Sequence, residues 1–470
     1  MKMNKQLQTA LLVFGILGVL IAALSFFQPL RASHRQQGIT LTDRATTTLV
    51  YVSVKNGFGS YEVTLENGVY FCEALRGLPI STPALDELAE RSTSLHALTR
   101  VKPPKNLGEI GLAKPRATVE IRFSDDTDLQ FSIGARVPNE SAYYLQLSGS
   151  EAVYTISEAS VQSFLTDVSH YVSLTLADNL TDAAELPDEL RFHSAAADFT
   201  VAKMAAPAAD GFGNRYTYQI ARIDGSEAGY VDSAQYKNYF VRLHELQASS
   251  IVQLFPSPEE LASFGLAPDN PSGISISFAF GKQTTSLRLG NRSDDIYYVY
   301  KEGVPAVYTL PLAQTPWDNV TYYALMSRFI AAPNLTQIDR IEVDFPDGGY
   351  DITVDGTTAS CNGVSLSQRT FGGLYQLLCA ARAEYELTSP PETTLPELTL
   401  TFWYRQTEEE LAAKTPARSM TVRFLPYGLR RHAIEVNGVA RYAVRSTYVS
   451  KVTETLLALR DGMEVSPTWF

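Results

Sequence analysis

The stretch Asn56–Leu65 reads NGFGSYEVTL, with two glycines around an aromatic residue. That composition suits a loop whose backbone N–H groups cradle a phosphate. Such a cradle needs a strand before it and a helix N-terminus behind it, so that free N–H groups and the helix dipole face the anion. Here Tyr61, Val63 and Leu65 alternate with Glu62, Thr64 and Glu66, which is a strand pattern, and no Lys-Ser or Lys-Thr follows. The stretch is therefore read as a hairpin turn at Asn56-Gly57, two residues that tolerate positive φ. A second acidic candidate, Asp125, Asp126 and Asp128, lies in SDDTDLQ. A calcium loop starting at Asp126 requires glycine at its sixth position and glutamate at its twelfth; Phe131 and Val137 stand there, so this too is read as a hairpin turn. Asp294 and Asp295 receive the same reading, because adjacent carboxylates on a strand point to opposite faces and make a poor acid/base pair.

The six histidines (His34, His96, His170, His193, His244 and His432) form neither H-E-x-x-H nor H-x-H, and no G-x-S-x-G is present. Cys72, Cys361 and Cys379 are too few for a disulfide framework and none sits in a C-x-x-C. They read as small buried residues, with a Cys361–Cys379 pair left open to the fold. No catalytic residue, metal ligand or cofactor site is thus expected. What remains is tyrosine: 25 residues, with doublets at Tyr143-Tyr144, Tyr297-Tyr298 and Tyr322-Tyr323. On a strand one of each doublet faces the core and the other faces out. Tyr144 and Tyr298 are the candidates for stacking on a sugar or anchoring a protein; packing alone is the competing reading.

The elements that would position these residues come from a chain of 470 residues, roughly three domains at ~150 each, with 45% hydrophobic and 19% charged residues, which supports a globular core. A formal charge of −12 argues against nucleic acid as the partner. Ala10–Phe27 carries no charge over 18 residues. As a helix it would span about 27 Å, close to a bilayer's hydrocarbon core. It is read as an uncleaved anchor with the bulk of the chain outside; a cleaved signal peptide is the alternative.

Beyond the anchor the chain repeats. NGFGSYEVTL returns as DGFGNRYTYQI, Gly57 mapping to Gly211, 154 residues on. Gly111-Leu112 and Gly265-Leu266 keep that spacing, as do Tyr143-Tyr144 and Tyr297-Tyr298. A diverged third copy carries PDGGYDITVDG from Pro346 and the turn Asn437-Gly438, matched to Glu302-Gly303. In each copy strands come first and a helix follows. The first helix is placed at STPALDELAERSTSL with Thr82 as N-cap and Pro83 at its first position. More alternating strands follow, with a closing helix at Val161, Phe164, Leu165 and Val168 in the first copy and at SKVTETLLALR in the third. The expected fold is α+β: tandem modules of antiparallel sheet with helices on one face, behind one transmembrane helix. The segments are 1–38 for tail, anchor and juxtamembrane stretch, 39–178, 186–330 and 337–470 for the modules.

RGLPIS (Arg76–Ser81), Gly-Leu-x-x-Pro (Gly111–Pro115) and YYLQL…VYTIS together resemble the bacterial domain-of-unknown-function family 4340 over most of residues 39–330. The second copy lacks the Gly-Leu-Pro and the third lacks the Gly-Leu segment. The resemblance implies a bacterial protein with one N-terminal span, of a kind often encoded beside ABC transporter permeases and gliding-motility-type subunits. It implies an extracytoplasmic accessory role and supplies no catalytic residues. The expected function is a membrane-anchored, non-enzymatic interaction protein with a membrane or envelope protein as partner. The alternatives are a carbohydrate- or peptidoglycan-binding module, and a hydrolase whose site is one deep pocket of convergent titratable groups.

Overall fold

The computed structural model describes residues 38–177 and 186–460. The apolar segment 10–27 lies outside them; among the described residues no helix is long and apolar enough to cross a membrane. The chain divides into two compact units, Met1–Ser173 and Leu174–Phe470.

The first unit holds one nine-stranded sheet. Its strands are β1 (Ile39–Asp43), β2 (Leu49–Asn56), β3 (Gly59–Glu66), β4 (Val69–Phe71), β5 (Ser94–Val101), β6 (Ala117–Phe123), β7 (Asp128–Arg136), β8 (Ala142–Leu147) and β9 (Val153–Ser157). They lie in the order β4-β3-β2-β6-β7-β8-β9-β5-β1. Alternation makes the strands: along β6, Ala117, Val119, Ile121 and Phe123 are buried while Thr118 and Arg122 are exposed. The helix Thr82–Thr93 buries Leu85, Leu88 and Ala89, and Ser81, not Thr82, caps it by accepting the Ala84 N–H. The expected closing helix is broken into a one-turn helix, Glu158–Val161, and two 3-10 turns, Gln162–Phe164 and Val168–Tyr171. Backbone carbonyls freed there accept side-chain donors: Ser163 O takes the hydroxyls of Tyr61 (3.1 Å) and Tyr171 (2.7 Å).

The second unit holds two sheets. One comprises β10 (Glu189–Ser194), β11 (Ala197–Ala209), β12 (Arg215–Arg222), β13 (Ala228–Tyr230), β14 (Ser250–Leu254), β15 (Ile274–Phe280), β16 (Gln283–Ser293), β17 (Ile296–Lys301) and β18 (Ala306–Pro311). The other comprises β19 (Ile338–Phe345), β20 (Gly348–Asp355), β21 (Thr358–Cys361), β22 (Val364–Leu366), β23 (Tyr385–Glu386), β24 (Leu398–Tyr404), β25 (Ser419–Pro426), β26 (Arg431–Val436) and β27 (Val439–Arg445). Their orders are β13-β12-β11-β10-β15-β16-β17-β18-β14 and β22-β21-β20-β19-β24-β25-β26-β27-β23. Neighbouring strands are antiparallel throughout, as in the pairs β10–β15 and β19–β24. The fold is thus mostly antiparallel sheet with a few helices, consistent with α+β.

One connectivity occurs in all three sheets. A three-strand meander leads, a helix follows, the next strand goes to the far edge, and four strands zigzag back from the meander to meet it. The helices at that place are Thr82–Thr93, Ser233–Phe240 and Gln368–Cys379. Tyr236 and Phe240 of the second and Leu374, Leu377 and Leu378 of the third are buried, as their spacing predicts.

This order corrects one alignment. The turn after β2 has its counterpart in the turn after β10, at Ser194–Ala197, and in the turn after β19, before Gly348. Gly59 and Gly348 even share an unusual backbone, at φ +142° and +153°. Gly211, matched to Gly57 by sequence, instead sits in the following turn, between β11 and β12. The β8 and β17 strands do keep the 154-residue spacing. A longer β11 and the additional strand β13 absorb the difference in between.

Candidate functional site

Sequence-predicted positions resolve first. Asn56 pairs with Gly59 across the first hairpin, so the turn residues are Gly57 and Phe58 rather than Asn56 and Gly57. The Asn56 side chain accepts the Phe58 N–H at 2.9 Å and donates to Phe164 O (3.2 Å) and Thr166 O (2.8 Å). Its amide thus pins the turn to the segment behind the one-turn helix, and no helix N-terminus faces the glycines. Asp126 sits at φ +61° in the β6–β7 turn. Its neighbour Asp125 accepts from Arg44 and Thr127, whose hydrogen bonds, the Thr127 hydroxyl foremost, hold its pKa down at about 2. Among the described residues no group of three or more His, Cys, Asp or Glu is placed to hold a metal. Cys72, Cys361 and Cys379 are all free thiols.

Tyr144 and Tyr298 are half-buried, not exposed. Tyr144 packs against a small cluster of Ile110, Leu112 and Val153. The Tyr298 ring lies 4.9 Å from that of Phe264. The reason is the Gly-Leu segment that precedes the β6 and β15 strands. Gly111, at φ +72°, ends a 3-10 turn, Leu107–Ile110, and approaches the β7 backbone so closely that a Cβ there would stand 2.6 Å from Ala135 N. Gly265, at φ +74°, approaches Asn291 N in the same way, and Leu112 and Leu266 are buried beneath. The tyrosines are the lid on this crossing, and the two features that recurred with one spacing are a single packing unit.

The polar concentration lies elsewhere, in the second unit, where a cleft of about 570 Å³ opens between the β12–β13 edge and the near ends of β24 to β27. Its floor belongs to the third sheet. Ile434 is buried, while Tyr404, Met420 and Val436 are partly buried and pack on that sheet's core. These side chains alternate toward the core face, and the helices that cover this face elsewhere leave them uncapped at this end. The opposite wall is the turn Ser226–Ala228 with Gly229 and Tyr230; the connection Met326–Asn334 closes the back. Tyr216 and Tyr230 stack at 4.7 Å, nearly parallel, beside it.

Glu227 organises the polar end. It accepts the Tyr442 hydroxyl at 2.6 Å on one oxygen and the Arg222 Nε at 3.0 Å on the other, with the Arg441 Nε at 3.5 Å. Burial and the hydrogen bond to Glu227 push the Tyr442 phenol well above its ordinary range, so Tyr442 is a donor here and not a base. Burial works against the Arg222 charge, but its bond to Glu227 outweighs that and raises its pKa. The Arg222 guanidinium also lies over the Tyr322 ring at 4.5 Å, which restores attraction lost with water. At the other end Asp210 accepts from the backbone N–H groups of Phe212 and Asn214, the Asn214 amide and the Tyr216 hydroxyl. Burial first, and Asp210 with it, lift the Tyr216 pKa to about 12. Both lining carboxylates therefore have their acceptor positions filled. The arrangement suits binding: it presents apolar floor and donors, with neither carboxylate placed to take a proton from a nucleophile.

Sequence reasoning missed this place because Glu227 and Tyr442 are 215 positions apart. The connection between second and third sheets carries the remaining ties. Gly211 N donates to Ala332 O at 3.0 Å, and a Cβ on Gly211 would stand 2.8 Å from Pro333 O. The glycine read as a repeat marker is needed for this close approach.

The chain matches no curated protein and no solved structure. The family model described as Domain of unknown function (DUF4340) matches residues 73–185 and 222–373, more than half of the chain. The first match starts at the 3-10 turn behind β4 and takes in the Gly-Leu crossing and its tyrosine lid. The second starts at the end of β12, covers the Glu227 turn and its own Gly-Leu crossing, and ends in the helix Gln368–Cys379. Matching twice, over the features that build its sheets, the chain belongs to the domain-of-unknown-function family DUF4340.

Proposed function

We propose that this is a membrane-anchored, extracytoplasmic interaction protein without catalytic activity of its own, auxiliary to an ABC-type transporter or a cell-envelope assembly. In this reading the segment 10–27 is the span, and the three sheets are copies of one module occupying residues 39–178, 186–330 and 337–470. The observation that carries the reading is the recurrence of one strand order three times along the chain. A catalytic site needs one constellation in one place, whereas repetition multiplies surface. The filled valences of Glu227 and Asp210 point the same way. The test is mild crosslinking of intact cells, followed by capture of the full chain. Repeated recovery of the same membrane or envelope protein is expected; repeated recovery of none argues against the proposal. Protease added to cells with a permeabilised outer layer should digest residues 38–460; protection of that stretch would reverse the assigned orientation.

A further inference from the structure

We propose that the cleft at the Glu227 turn is a binding site for a small amphipathic carboxylate, an apolar body with an anionic head. The inference stands apart from the interaction role proposed above, because it rests on the cleft alone.

Three observations select this ligand class. The volume, about 570 Å³, lies within the range of small-molecule sites. The floor of Met420, Ile434 and Val436 is the continuation of the third sheet's core, uncovered at this end, so an apolar body seated there completes a hydrophobic layer. The head is selected by hydrogen-bond valence. Glu227 and Asp210 have partners on both oxygens, so neither calls for a donor or a cation. Arg441 is different. Its Nε is buried and makes no hydrogen bond, standing 3.5 Å from Glu227, and one of its terminal nitrogens reaches only Ser226 O, at 3.4 Å. Arg441 and Arg222 share a single carboxylate, leaving one positive charge in excess at this end of the cleft. A buried guanidinium donor without an acceptor is costly, and a carboxylate satisfies it with a charge-assisted pair.

The experiment titrates the purified full chain with decanoate, decanol and decylamine by calorimetry. Decanoate is expected to bind saturably at one site and more tightly than decanol, and decylamine not to bind there. Arg441→Gln should weaken decanoate roughly tenfold or more, as loss of a charge-assisted hydrogen bond implies, and should bring it to the level of decanol. Since Arg441 also touches Glu227, a second variant leaves that pair alone: Val439→Trp fills the apolar half from a half-exposed position on the rim and should abolish binding of both decanoate and decanol. Val252→Trp, on β14 away from the cleft, should change nothing. Equal affinity for the three probes, absence of saturable decanoate binding, or indifference to both cleft variants overturns the proposal. Each outcome is separable from the crosslinking result, which reads a protein partner and not this cleft.

Discussion

At the scale of single residues, chemistry that looked catalytic in the sequence serves turns. The Asp125 carboxylate is fully exposed, yet its hydrogen bonds from Thr127 and Arg44 lower its pKa from the ordinary 3.8 to about 2. A carboxylate whose folded pKa is depressed adds stability above its unfolded pKa and loses that contribution as pH falls through the folded value. Asp125→Asn should therefore be less stable than the parent at pH 5. The gap should close as pH falls from about 4 to about 2, read as the difference in urea midpoint between the two proteins. A gap unchanged over that window would mean that the Arg44 contact is too well hydrated to matter. Residue identity alone announced such turns. Asn437-Gly438 joins β26 and β27 with both residues at positive φ, 46° and 86°, as an Asn-Gly hairpin should. It did not announce what covers a strand's outer face. Alternation put Tyr144 opposite Tyr143 correctly, but a segment more than 30 residues upstream crosses that face and buries it.

At the scale of elements, the crossing itself can be tested. Strands β7 and β16 each carry a second glycine under the Gly-Leu segment. A Cβ on Gly134 would lie 2.4 Å from Ile110 O, and one on Gly290 would lie 2.2 Å from Phe264 O. Neither glycine has positive φ, so an alanine there is disfavoured by the neighbouring backbone and not by its own conformation. Gly134→Ala and Gly290→Ala should each destabilise by about 1–3 kcal/mol, the usual cost of overpacking a rigid contact. Gly372→Ala makes the contrast. It lies in the helix Gln368–Cys379 with nothing near its Cβ position, and should stabilise by about 0.4–1 kcal/mol by restricting the unfolded chain. Denaturant midpoints decide, and the idea fails if all three move the same way. The strands and principal helices were legible because hydrophobic periodicity is local. Their order was not, because pairing β5 beside β9, or β14 beside β18, depends on contacts across some 55 residues. The repeat spacing was right where strand lengths match and wrong at Gly211, where β11 runs longer and β13 is added.

At the scale of the whole molecule, the second unit joins two sheets that each resemble the first unit's single sheet in strand order. What makes them one unit is a short list of ties around the cleft. They are Tyr442 and Arg441 to the Glu227 turn, Tyr323 Oη to Ala383 O at 3.0 Å, the bridge of Phe329 with Arg382, and Gly211 N to Ala332 O. Glu227 is the most connected of these, and its side chain is only 14% exposed. Glu227→Gln leaves two guanidinium groups facing a neutral amide in a partly desolvated site. Breaking a well-buried pair costs about 3–5 kcal/mol, and the lesser burial of Arg222 and Arg441 sets the expectation near the lower end, about 3 kcal/mol. The informative readout is where that loss appears. If the two sheets unfold together, hydrogen exchange in the full chain should show lowered protection in β26 and β27 of the third sheet as well as in β11 and β12 of the second. The strands β2 and β6, in the first unit, should be unchanged. Loss confined to β11 and β12 would mean that the sheets open separately and that the cleft is a flexible seam. Shared loss would make the cleft a preformed cavity in a rigid body, whose ligand meets its donors without first ordering them.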